Sequence, residues 1–172
     1  MKQTQTFGII TLLAFSLFAI PSCKNDPITT DIDWELYEMA QKTAGFTWYK
    51  NSSAVWSKSV GSGHSNPKLR TRYNSIASQF LDSTGKVIEN SNFSDGSLIV
   101  KELMDTDENL NRYAILYKDS GNESADANGW VWGYINADGT VAESATKKGV
   151  SCTGCHSQAG NIDSGLMNKE FP

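Results

Sequence analysis

Cys152, Cys155 and His156 stand together in Ser151-Cys152-Thr153-Gly154-Cys155-His156, a C-x-x-C-H pattern and the most specific chemical signal in the chain. Two thiols three positions apart can each add to one vinyl group of a haem, and the next residue then projects an imidazole at the iron as proximal ligand. The spacing predicts one covalent haem c per chain, with Cys152 and Cys155 as anchors and His156 as the iron ligand. Two other readings compete. A redox or disulfide pair of this type would follow a strand and open a helix in a βαβ setting, which the flanking sequence lacks. A zinc centre needs two further ligands, and His64 alone is left to supply one.

The group opposite His156 decides what such a haem does. Met167, shortly after the motif, is either an axial ligand or a tail residue packed on the haem edge. Met39 and Met104 are further candidates, although methionine is more often a filler of core gaps. Ligation by His156 and Met167 describes an electron-transfer cytochrome working with a redox partner protein. An open position describes a gas-binding module or an oxidoreductase acting on a small ligand.

A haem c is attached outside the cytoplasm, and the N-terminus agrees with export. Phe7 to Ile20 is a nearly unbroken apolar run behind Met1 and Lys2. As a helix it spans about 21 Å, short of the ~30 Å hydrocarbon core, so a cleaved signal is the better reading than a permanent span. The run ends Ile20-Pro21-Ser22-Cys23, which resembles a bacterial lipobox with Cys23 as the lipidated mature N-terminus. The alternative is ordinary cleavage nearby, with Cys23 left as an unpaired thiol. The expected organisation is a lipoprotein signal over 1–22, a lipidated N-terminus and polar linker over 23–31, and a haem domain over 32–172. The protein is then exported and membrane-anchored, periplasmic or associated with an outer membrane, since acyl chains hold a protein stably on a bilayer.

The elements that must position the motif are mostly strands. Asp33 to Ala44 carries an approximate helical stripe of Trp34, Leu36, Tyr37, Ala40 and Ala44, with Asp31 or Asp33 as cap and Gly45 as stop. Lys68 to Tyr73 alternates like a strand, and Asn74 is placed to cap a short helix over Ser75 to Leu81. Ser97 to Met104, Arg112 to Lys118 and Trp130 to Ile135 are stronger strands separated by polar turns, the last ending at Asn136-Ala137-Asp138-Gly139. Strands joined by turns without long helices predict an α+β fold: a mainly antiparallel sheet, an N-terminal helix, short flanking helices and a C-terminal haem-attachment segment.

Composition narrows the function classes. The chain has 172 residues, with 15 Lys or Arg against 19 Asp or Glu and a formal charge of −4. That length suits one domain rather than two. The acidic balance, without a run of like charges, gives no footprint for nucleic acid. There is no phosphate-binding loop, and Gly61-Ser62-Gly63-His64-Ser65 lacks the strand–turn–helix setting of a hydrolase nucleophile.

Taken together, Leu69 to Asn74, Asp95 to Leu103, Ile115 to Asp119, Asn128 to Trp130, the Cys152–His156 motif and Asp163 occur in the order of the cytochrome P-460 family, relatives of the β-rich cytochromes c-prime. The resemblance covers about residues 66 to 165. It implies a five-coordinate haem c with a distal pocket, a homodimer, and chemistry on hydroxylamine or nitric oxide or simple gas binding. Lys101 matches a lysine that catalytic members bond to the macrocycle, and Arg70 matches a pocket arginine. By strand parity Lys101 shares a face with Ile99 and Leu103, where a charged ammonium is costly and a neutral amine favoured. The competing reading has Lys101 snorkelling to water at a sheet edge and Arg70 as a solvated strand residue. Active members also present a carboxylate over the distal iron just before the motif, where this chain reads Lys147-Lys148-Gly149-Val150-Ser151. Glu143 and Glu102 are the candidate replacements.

Overall fold

A computed structural model describes residues 31–165. Cys23, Met167 and the apolar run before Cys23 lie outside the described residues. Helix α1 runs Asp31–Gln41, starting earlier and stopping sooner than the stripe to Ala44 suggests. Gly45, with φ at +79°, turns the chain away just beyond it. Strands β1 (Thr47–Trp48) and β2 (Trp56–Ser57) both pair with β3 (Lys68–Tyr73). A single 3-10 turn, Ala77–Phe80, follows with Ile76 at its N-cap position, and Asn74 Oδ1 accepts from the Ala77 amide at 2.8 Å.

Four more strands follow: β4 (Leu98–Met104), β5 (Leu110–Lys118), β6 (Trp130–Asn136) and the short β7 (Val141–Glu143). The order is β1-β3-β4-β5-β6-β7 with β2 beside β1 on the β3 edge, and every pairing is antiparallel. This is the β-rich α+β architecture expected from the turn-separated strands. A short helix, α2 (Thr153–His156), carries the end of the cysteine–histidine motif.

Strand alternation divides the sheet into two faces with different tasks. On one face Leu98, Val100, Tyr113, Ile115, Val131 and Ile135 pack with Leu36 and Ala40 of α1. Burying a side chain of this size contributes about 1.5–3 kcal/mol, so this layer fixes the sheet as a rigid floor. On the other face two apolar groups stand apart. One comprises Tyr73, Ile99, Leu116, Trp130 and Trp132 with Cys152 against it; the other comprises Leu69, Leu103 and Ala114 with Tyr134. The site lies between them.

Candidate functional site

Cross-strand register builds the floor. One row runs Thr71, Lys101, Ala114, Tyr134 and Glu143 across β3 to β7. The next runs Tyr73, Ile99, Leu116 and Trp132. Paired residues of an antiparallel sheet point to the same face, so both rows line one cavity of about 390 Å³. Cys152, Cys155, His156 and His64 border the same cavity.

The motif is set down on this floor by close backbone approach. Gly149, at φ +64°, sits so near the Trp132 indole that a Cβ would lie 2.4 Å from it. Its carbonyl accepts from the Cys152 amide at 2.8 Å and the Thr153 amide at 2.9 Å, starting the turn that becomes α2. Asn161 Nδ2 donates to the carbonyls of Cys155 and His156, both at 3.0 Å, and closes the other end. The two thiols are free and not joined to each other, and burial pushes that of Cys152 up.

His156 is oriented from two sides. Its ring meets Trp132 edge-on, centroids 5.0 Å apart at 86°. Nδ1 lies 2.6 Å from the Ser164 carbonyl, which can only accept, so Nδ1 carries the proton and Nε2 keeps its lone pair. Burial chiefly, with Lys101 as a further cation, lowers its pKa to about 4, although the Ser164 hydrogen bond works the other way. A neutral imidazole with Nδ1 held by a carbonyl is the form a metal ligand requires. Ser164 is in turn held by its neighbour. Asp163 accepts from Lys118 Nζ at 3.1 Å, the Phe93 amide at 2.8 Å and Trp130 Nε1 at 3.2 Å.

His64 borders the same cavity, its Nδ1 3.3 Å from the Tyr134 hydroxyl and its ring stacked on that phenol at 5.8 Å and 26°. Burial first, then the charge of Lys101, brings its pKa down to about 3. Arg112 places its guanidinium 4.5 Å over the Tyr134 ring and donates to Asn136 at 2.7 Å. Two cavity-lining oxygens are buried without a hydrogen-bond partner: the Tyr73 hydroxyl and Glu143 Oε1. The second Glu143 oxygen is 3.8 Å from Lys147.

A family model described as Cytochrome P460 matches residues 47–164. The chain belongs to the cytochrome P460 family. No curated protein and no solved structure matched it. Membership makes it a c-type haem protein.

The residues present fit that group. A haem needs an apolar slot, two thiols at one rim, an imidazole with a free nitrogen and polar partners for its propionates. The cavity offers the two apolar groups as walls, unbridged Cys152 and Cys155, Nε2 of His156 and the unpartnered Tyr73 hydroxyl. Among the described residues no three His, Cys, Asp or Glu side chains converge as a zinc centre would require.

Of the residues singled out from sequence, Cys152, Cys155, His156, Lys101 and Glu143 meet at this cavity. Arg70 does not. In β3 it pairs in register with Glu102, one step off Leu69 and Thr71, so it faces the α1 side of the sheet. There it donates to Glu102 and lies 4.7 Å over the Trp48 ring. Glu102, the other proposed carboxylate, is buried on that same face between Arg70 and Arg72. Met104 shares its strand parity with Glu102 and is core, and Met39 packs against the α1-side core, so neither borders the cavity. The cavity's own arginine is Arg112. His64, Tyr134, Trp132 and Tyr73 were not read as site residues from the sequence. For the three strand residues the signal was available, since each has the parity of the Lys101 row or its neighbour.

Proposed function

We propose that this cytochrome P460 is an exported, lipid-anchored haem protein with an open haem iron that binds or oxidises hydroxylamine or nitric oxide. The observation that carries the reading is the floor row: Lys101 and Glu143 border the cavity of the cysteine–histidine motif, and Glu143 Oε1 is buried with no partner of its own. Cys152 and Cys155 would hold the group through thioethers, each S–H adding across a vinyl double bond, and His156 Nε2 would ligate its iron. Lys101 would bond through its amine to a macrocycle carbon, the lost N–H and C–H giving up two protons and two electrons to a peroxide that is reduced to water, and Glu143 would accept the proton of an N–H or O–H substrate. The haem, when bound, supplies the redox centre through which electrons leave for an external acceptor. A carboxylate held away from bulk water beside the substrate is a competent base, and such a base typically contributes a factor of about 10²–10⁴.

The test is hydroxylamine consumption by the haem-loaded protein with a soluble electron acceptor. Turnover that falls by about a hundredfold in Glu143→Gln, with haem still attached, is the expected result. Ligand binding with no consumption in the wild type would make this a gas-binding module instead. Anchoring through Cys23 predicts that the protein partitions with membranes and that Cys23→Ser releases it. Equal partition of the two would refute the anchor.

A further inference from the structure

The cavity contains a second imidazole to which the chemistry above gives no task. Trp132 and Tyr134 are alternate residues on one face of β6, about 6.8 Å apart along the strand. Each carries a histidine. His156 meets Trp132 edge-on, and His64 lies nearly flat on Tyr134. Both histidines border the cavity, each against one of these two aromatic rings.

His64 comes from the glycine-rich loop before β3, far from the motif in sequence, and it is held there by several contacts. Lys58 Nζ donates to its carbonyl at 2.7 Å. Its Nδ1 is occupied by the Tyr134 hydroxyl, and the Tyr134 ring is braced on its own account by Arg112. The flat stack and the Nδ1 tether keep the ring at the wall. Nε2 has no partner among the described residues.

We infer that His64 is the distal residue of this site, presenting Nε2 as a hydrogen-bonding group to a small polar nitrogen ligand bound opposite His156, with Tyr134 as its positioning residue. This deepens the open-iron reading and rests on it. His64 is uncharged near neutral pH, because burial holds its pKa well below the usual imidazole range, so it engages the ligand without adding charge. With Glu143 in the same floor row as Tyr134, the cavity then offers a ligand two polar groups of different kind.

The experiment uses the ferrous haem-loaded protein with carbon monoxide as probe, reading the C–O stretching frequency and the dissociation rate. His64→Leu is expected to raise the frequency and speed dissociation about fivefold, the loss of one ordinary hydrogen bond. Tyr134→Phe should shift the frequency in the same direction by less, and His64→Gln should restore most of it. An unchanged frequency and rate in His64→Leu would overturn the inference while leaving the open-iron reading intact. A ferric wild type that is low-spin and turns high-spin in His64→Leu would also overturn it, since His64 would then be an iron ligand. A wild type that binds no carbon monoxide would overturn both readings.

Discussion

His64 illustrates how burial at one residue carries over into the stability of the whole chain. Its pKa is brought from near 6.5 to about 3 by desolvation first and by the charge of Lys101 second. Unfolded, the ring takes a proton below about pH 6.5; folded, it does not until about pH 3. The unfolded state therefore binds more protons across that window, and stability falls as pH drops from 6.5 towards 3. One such group contributes a slope of up to about 1.4 kcal/mol per pH unit. Urea unfolding at several pH values should show a flatter acid limb in His64→Gln than in the wild type, and parallel limbs would contradict the assignment. Lys101 shows the same logic read from sequence alone. Its parity with Ile99 and Leu103 places it on the apolar face, and the structure puts it in the floor row of the cavity. Arg70 lies one step out of that parity, which puts it on the other side of the sheet.

At the scale of elements, a buried carboxylate helps hold the segment after the motif to the sheet. Asp163 joins Lys118 of β5, Trp130 of β6 and the Phe93 amide, and Ser164 beside it fixes the ring of His156. The side chains of Lys118 and Asp163 are only 8% and 10% exposed, so removing one charge strands the other in a poorly solvated place. Asp163→Asn should cost about 3 kcal/mol in denaturant unfolding and shift the haem reduction potential as the Ser164 carbonyl loosens. Wild-type stability and potential in that variant would remove Asp163 from this role. Helix α1 holds the chain ahead of the motif. Asp33 accepts from Ser144 Oγ at 2.7 Å and the Ala145 amide at 2.8 Å, just ahead of Gly149 and the motif. Strands β3 and β4 were legible in the sequence because their alternation is local. The segment around Asp163 was not, since its partners lie 33 to 70 residues away and leave no periodic trace. The loop carrying His64 is the same case, closed by a tyrosine 70 residues further on. Strand β7 is too short to alternate, yet it brings Glu143 to Tyr134.

At the scale of the molecule, the sheet works as a plate with one face given to stability and the other to the cofactor. The α1 side buries aliphatic residues and the Arg70–Glu102–Arg72 cluster, while the opposite face leaves a gap between two apolar groups. Attachment, ligation and distal chemistry all converge on that gap, although their residues span His64 to His156. The most direct test is the absorption spectrum of the purified, reduced protein with and without carbon monoxide, read with the masses of its haem-bearing peptides. The account predicts a spectrum that responds to carbon monoxide, haem on the peptide containing Cys152 and Cys155, and a further link to the strand peptide containing Lys101 that disappears in Lys101→Ala. Haem missing from the Cys152–Cys155 peptide, or a reduced spectrum indifferent to carbon monoxide, would contradict it.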